Sequence, residues 1–304
     1  MTRTRAADRT VTPHPPEHTA AQEARRRVLE DIPLTEHRSD LDGVSTSYLK
    51  GGSGPPVVLL HGIGQTSAVW LRVIRRLAPT CTLIVPDLPG QGASEIHDGR
   101  PPTADRVTAW LAALIGTTCP APPVLVGHNI GGAIAARFAA AHGDLVTGLV
   151  LADAHGLGPF RPAPRFALAV AAFQAHTTER TRDRMLGRCM TDFDTVRDDL
   201  GEDWDGIADY VLDRARTPEV KAAGRTLTKA FVRPVIPEAE LDRITVPTTL
   251  VWGRDDPETR LKYGERAAAR YGWPLHVIDD CGADPDLEHP DAFVAALRTA
   301  LPAA

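Results

Sequence analysis

The stretch Pro123-Val124-Leu125-Val126-Gly127-His128-Asn129-Ile130-Gly131-Gly132 constrains the path of this chain more tightly than any other. An apolar run ends in Gly-x-x-x-Gly and leads directly into the helix-like segment Ala133-Ile134-Ala135-Ala136-Arg137-Phe138-Ala139-Ala140. Strand, sharp turn and helix in this order form a nucleophile elbow, in which Gly127 and Gly131 let the backbone pass close to itself. The apex of such a bend sits at positive φ, which Asn tolerates better than most residues that carry a side chain. Asn129 therefore suits the apex, yet its carboxamide is neutral and offers neither hydroxyl nor carboxylate. The question of function turns on that residue.

The rest of the chain is ordinary enough to narrow the classes open to it. With 304 residues it can bury a full core, as one large α/β domain or as a core with an inserted subdomain. The net charge is −5 with acidic and basic residues interspersed, so no nucleic-acid partner is expected. Cys81, Cys119, Cys189 and Cys281 lie far apart without a CxxC pair, which argues for reduced thiols and against a disulfide frame or a zinc site. Residues 1–20 are polar and carry Pro13, Pro15 and Pro16 but no apolar core of a signal peptide, and no 18-residue apolar run is available to span a bilayer. The expectation is a cytoplasmic protein without membrane partners. Its N-terminal arm (1–35) is expected to be largely disordered, with one short helix possible over 20–30.

From residue 44 onward, strand-like and helix-like segments alternate. Strands are predicted at Pro56–Leu60, Thr82–Pro86, 123–128, Gly148–Asp153, Thr248–Trp252 and Leu275–Asp279. Helices are predicted over 66–77, 104–115, 257–271 and 288–299. Unbroken apolar strands separated by helices indicate a mostly parallel sheet covered on both faces, with ligands gathering at the carboxyl ends of its strands. Between Asp153 and Val246 the rhythm breaks: helical patterns and charge clusters continue, but no buried strand is evident. The predicted layout is an α/β core over 36–153 and 246–304, with a helical cap over 154–245 inserted after the sixth strand. The cap holds Phe160, Phe166, Phe173, Phe193 and Phe231, five of the seven phenylalanines, so a largely apolar small molecule is expected beneath it.

In this order of elements the chain resembles the α/β-hydrolase superfamily across roughly residues 38–302. The resemblance is carried by His61-Gly62-Ile63-Gly64, by 86–94 (Pro-Asp-Leu-Pro-Gly-Gln-Gly-Ala-Ser), by the elbow, by Trp252-Gly253-Arg254-Asp255-Asp256 and by 282–290. The Ile after the apex is similar to the epoxide-hydrolase and dehalogenase branch. The resemblance implies a triad of apex residue, acid and histidine. It places Asn129 at the apex, Asp256 at the acid and Ala283 where the histidine belongs, so nucleophile and base are both substituted. Two further departures narrow the branch. A dehalogenase is expected to have Trp beside the apex, where this chain has Ile130, and an epoxide hydrolase two cap tyrosines, where this chain has only Tyr210.

What remains is the anion-stabilising device. The backbone N–H groups of Ile130, at a helix N-terminus, and Ile63, in the turn with His61 and Gly62, are expected to converge on a developing oxyanion. Such a hole is worth about 3–4 kcal/mol. Asn129 is expected to add a side-chain N–H. The candidates for moving a proton are Asp256 and, after the strand 148–152, Asp153 and His155, the last as a stand-in for the missing imidazole. His61 and His128 read as structural braces, and Asp284 as turned away from the pocket. Cys281 is a stray thiol.

The expectation is an enzyme that needs no cofactor or metal and has abandoned covalent hydrolysis. It would isomerise, cyclise, decarboxylate or eliminate from a small apolar substrate bearing a carbonyl or epoxide. Two alternatives stay open: a non-catalytic small-ligand-binding pseudo-hydrolase, and an epoxide or ester hydrolase inactivated at its Asp and His positions. A homodimer is one assembly open to it.

Overall fold

The computed structural model describes residues 20–30 and 32–301. The remainder of the predicted arm, residues 1–19, lies outside them. Nine strands form one sheet: β1 (Thr35–Leu41), β2 (Val44–Gly52), β3 (Pro56–Leu60), β4 (Thr82–Pro86), β5 (Glu95–Ile96), β6 (Val124–His128), β7 (Gly148–Ala152), β8 (Thr248–Gly253) and β9 (Leu275–Ile278). Their order is β1-β2-β4-β3-β6-β7-β8-β9, with the two-residue β5 on β2. The pairs β1–β2 and β2–β4 are antiparallel, and every pair from β4 to β9 is parallel.

The apolar strands are central because a parallel sheet has no wet face. β6, β7 and β8 are buried at every residue. Alternation along each strand then divides the core in two. Val57, Leu59, Val124 and Val126 pack with Trp70 and Phe293 on one side, whereas Val58, Leu60, Leu125 and Leu149 pack with Trp110 and Phe138 on the other. The first layer contains α1 (Ala20–Glu30), α2 (Leu71–Leu77) and α13 (Pro290–Arg298), the last preceded by the short α12 (Pro285–Glu288). The second contains α3 (Ala104–Thr118), α4 (Ile130–Ala141) and α11 (Leu261–Tyr271). The helix possible over 20–30 is therefore ordered. It buries Ala24, Arg25 and Val28, and Arg25 reaches Glu36 Oε1 at 2.8 Å.

No strand forms between β7 and β8. The segment carries α5 (Pro164–Ala175), α6 (Glu179–Cys189), α7 (Phe193–Leu200), α8 (Glu202–Arg216), α9 (Pro218–Leu227), a single π turn at Thr228–Val232 and α10 (Glu238–Leu241). Several of its aromatic residues serve packing, while Phe160 is exposed. Phe193 meets Trp204 edge to face at 5.3 Å, and Phe231 is buried in the layer of α4. Tyr210, the one cap tyrosine, lies under Arg25 at 5.2 Å. Among the described residues no helix is long and apolar enough to cross a membrane.

The tightest point of the fold is the turn after β6. A Cβ on Gly127 would lie 2.2 Å from Gly131 O, and one on Gly131 2.3 Å from Leu60 O, so backbone meets backbone at both. Neither contact has a flexible side chain to yield. Gly127→Ala is expected to cost at least about 3 kcal/mol, read as a lowered midpoint of urea denaturation. An unchanged midpoint would show that the turn has room to spare.

Candidate functional site

Asn129 sits at φ 55°, ψ −114°, outside the usual left-handed basin, and is held there by its neighbours. Its N–H donates to Ala152 O of β7 at 2.9 Å, and its carbonyl accepts from Gly132 N and His155 N, both at 3.1 Å. The bend is thereby tied both to its own helix and to the next strand.

The side chain is where expectation and structure part. Ile130 N and Ile63 N do converge, but the oxygen they meet is Asn129 Oδ1, at 2.8 and 3.5 Å. The residue occupies its own anion hole with a neutral acceptor, where an added N–H donor had been expected. Gly62 N–H is used elsewhere, donating to Gln65 Oε1 at 2.8 Å. His61 braces the same turn as expected. Its Nδ1–H donates to Gly62 O at 2.8 Å, its Nε2 accepts from Leu88 N at 3.0 Å, and burial keeps the ring neutral by lowering its pKa.

Just beyond the ends of β7 and β8 stand two carboxyls. Asp153, fully buried at φ 43°, accepts from Gly253 N at 3.0 Å through Oδ1, while Oδ2 has no donor. Burial first, and then the nearby Asp256 charge, raise its pKa well above the carboxylate range. Asp256 Oδ1 accepts from Glu258 N at 2.7 Å and Thr259 N at 3.0 Å. Burial nevertheless pushes its pKa up to about 6, although the Thr259 bonds favour the charged form. Thr259 Oγ1 is within bonding distance of both Asp256 Oδ2 and Asp153 O. One hydroxyl proton serves only one of these at a time, so the Asp256 carboxylate and the Asp153 carbonyl compete for it. The arrangement is a buried carboxyl pair in which both pKa values are raised, that of Asp256 to about 6.

His155 does not take over the imidazole's place. Its ring is bonded through Nε2 to Glu258 Oε1 at 3.1 Å and packed edge-on to Phe160 at 5.4 Å. Among the described residues no hydrogen bond links that ring to Asn129, Asp153 or Asp256. The position of the missing histidine is used by backbone: Ala283 N–H donates to Cys189 O of α6 at 3.0 Å, and Ala283 O pairs with His128 Nε2 at 2.6 Å. Asp284 faces inward, contrary to the expected offset, and accepts from Gln65 Nε2 at 2.7 Å and Cys189 Sγ at 3.2 Å. Cys281 is buried with its thiol pKa raised by desolvation and by Glu288, which leaves it no thiolate character. Gln65, Cys189, Glu258 and Thr259 were not anticipated. Only Gln65, three residues beyond Gly62 in the same turn, carried a sequence signal that could have found it.

Comparison with known proteins matches the same elements. The model of the alpha/beta hydrolase family covers residues 57–296. A pimeloyl-[acyl-carrier protein] methyl ester esterase of Chromobacterium violaceum is 30% identical over 254 residues, 81% of this chain and 94% of its own. A 2-hydroxy-6-oxo-6-phenylhexa-2,4-dienoate hydrolase of Burkholderia cepacia is 27% identical, over 80% of this chain and 86% of its own. In structure, a bacterial membrane phospholipase A superposes with a TM-score of 0.77 at 24% identity, covering 92% of this chain and 89% of that one.

Two outcomes follow from this geometry. At the strained apex glycine is conformationally free and alanine is not, while both lose the Oδ1 bonds. Asn129→Gly is therefore expected to be more stable than Asn129→Ala by about 1 kcal/mol, measured as paired denaturation midpoints. Equal midpoints would mean that the backbone at 129 is unstrained. The raised pKa of Asp256 makes the folded state hold its proton more tightly than the unfolded chain. Its stabilising effect is then complete below about pH 4 and lost as pH rises through about 6, a change of about 2–3 kcal/mol. Asp256→Asn should flatten the thermal-midpoint profile in that window, and a profile parallel to the parent would refute the shift.

Proposed function

Because this chain belongs to the alpha/beta hydrolase family, we propose that it is an enzyme of that scaffold working by proton transfer, without a covalent intermediate. The observation that carries the reading is the dry Asp153–Asp256 pair beside an apex that holds a carboxamide. A carboxyl near neutrality can both take and return a proton at physiological pH, which typically contributes 10²–10⁴-fold. Asp256 is the exchanging group, since Asp153 is wholly enclosed and serves as the proton store behind it.

In this reading the substrate's carbonyl or epoxide oxygen displaces Asn129 Oδ1 from Ile130 N–H and Ile63 N–H. Negative charge developing on that oxygen gains from both donors more than the neutral amide oxygen does, so the exchange favours the transition state. Asp256 then moves a proton at the adjacent carbon or leaving group. Isomerisation, cyclisation, elimination and decarboxylation all fit one proton acceptor and one anion hole, and none requires a nucleophile. The family's hydrolytic relatives supply the scaffold and the precedent for carbonyl substrates. The epoxide-hydrolase or dehalogenase-like ancestry read from Ile130 belongs to the same proposal.

A second reading is favoured by one observation. The filled anion hole and the cap backbone bonded at Ala283 leave the nucleophile and histidine positions satisfied, as a ligand-binding pseudo-hydrolase would have them. Saturable binding of a small apolar carbonyl compound, with no product formed, would select it.

The catalytic reading is tested on an identified substrate. Asp256→Asn is expected to lower kcat at least about 100-fold and to remove an ionisation near pH 6 from the rate profile. Asn129→Ala is expected to change kcat with a smaller effect on KM. If both variants retain the parent's turnover, the mechanism is wrong. For ancestry, Asn129→Asp combined with Ala283→His should gain epoxide- or ester-cleaving activity, and a folded but inert double variant counts against the branch.

A further inference from the structure

Behind the bend, on the side of the sheet that holds Trp70 and Phe293, lies a second cluster that the reading above does not use. His128, Asp284 and Asp286 are each at most 3% exposed, and one ligand atom from each lies within 4.8 Å of the other two. We propose that these three residues hold one divalent first-row transition-metal ion, which ties the 282–288 loop to the end of β6.

The tautomer of His128 can be read from its partner. Nε2 pairs with the carbonyl of Ala283 at 2.6 Å, so Nε2 carries the proton and Nδ1 presents its lone pair. That lone pair faces Asp286 Oδ1 at 3.9 Å. His128 Nδ1 and both oxygens of Asp286 are without a hydrogen-bond partner, although they are wholly buried. Buried polar atoms are nearly always satisfied, and an orphaned carboxylate is among the costliest exceptions. A single shared proton does not resolve this, since 3.9 Å is well beyond hydrogen-bond length. A cation does. Two ligand bonds of about 2.1 Å span that gap at an angle of about 135°, within the range of an irregular tetrahedral site.

The third donor and the charge agree. Asp284 accepts from Gln65 and Cys189 yet keeps lone pairs free for a metal. Two carboxylates balance a divalent ion, and among the described residues no lysine or arginine bonds to either. The outer limit of 4.8 Å exceeds two bonds of about 2.2 Å by about 0.4 Å, so the loop would draw in by a few tenths of an ångström on binding. One imidazole with two carboxylates suits Zn²⁺, Mn²⁺ or Co²⁺ better than Ca²⁺, which takes six or more oxygens. The sequence argument against zinc addressed thiolate sites, and this donor set contains none. Enclosure makes the proposed site structural, with no open position for substrate.

The test uses the full chain. Metal content is measured on protein purified without added metal. Chelator-treated protein is then melted with Zn²⁺, Mn²⁺ or Co²⁺ chloride, alongside Asp286→Asn and Asp284→Asn. The expected result is about one equivalent bound, and a midpoint raised by about 5 °C or more at saturating metal. Either variant should lose both effects, and Co²⁺-loaded parent should show a visible absorption band that both lack. Should the variants fold poorly, metal content and the Co²⁺ band of the parent decide alone. Metal below about 0.1 equivalent, with no midpoint shift for any of the three ions, overturns the proposal. So does a shift that Asp286→Asn reproduces in full.

Discussion

The contact on which the rest depends is the close passage of backbone at Gly127, Gly131 and Leu60. Because peptide groups meet there at distances that leave no room for a Cβ, β6 must turn sharply into α4, and the residue between them is driven to positive φ. From this follow the placement of residue 129 at the strand ends and the alignment of Ile130 N–H. The bonds from Asn129 to Ala152 and His155 also set where the segment after β7 leaves the sheet, and so where Asp153 stands. Whatever side chain occupies the apex inherits a prepared anion hole. This chain fills it with the side chain's own oxygen.

The second constraint is electrostatic. Asp153, Asp256, Asp284 and Asp286 are all buried around the strand ends, and among the described residues none is hydrogen-bonded to a lysine or arginine. Four unpaired carboxylates in such a space would repel one another and pay heavily for lost hydration. Protons offset this at Asp153 and in part at Asp256. At Asp286 burial likewise favours the neutral carboxyl and pushes its pKa up to about 7. An imidazole at 283 would have contributed a cation to this region. With alanine there, the adjacent peptide is bound to Cys189 and His128 instead, and the acids must be satisfied by other means.

What could be read from the sequence follows from which forces are local. The buried strands were legible because both of their faces are apolar, which leaves a continuous run in the chain; β7 was placed to within one residue. β1 was not, since at the edge of the sheet Thr35-Glu36-His37-Arg38-Ser39-Asp40 is mostly exposed and carries no hydrophobic pattern. The elbow and its two N–H donors were legible because glycine spacing dictates them. Their acceptor was not, because whether Asn129 Oδ1 or a ligand fills the hole depends on a rotamer. Likewise Cys189 meets Asp284 across 95 residues of sequence, a pairing that only the packing of the cap creates.

The cap meets the loop beside the carboxyl pair at the end of α6. Asp153 and Asp256 hold protons above the ordinary carboxylate range chiefly because their surroundings are dry. The cap contributes to that dryness, for its helix α6 ends on Ala283 and Asp284, beside them. In the proposed reading, a motion lifting α6 to admit a ligand would weaken the burial that raises both pKa values. A ligand that excluded water would restore the shift and, in that reading, draw a proton back. For a substrate apolar enough to dry the site, binding and loading of the acid would then be one step. A polar one would leave the pair hydrated and ionised. Selectivity for apolar substrates would then need no dedicated apolar wall, because the acid itself senses how well the cleft has been dried.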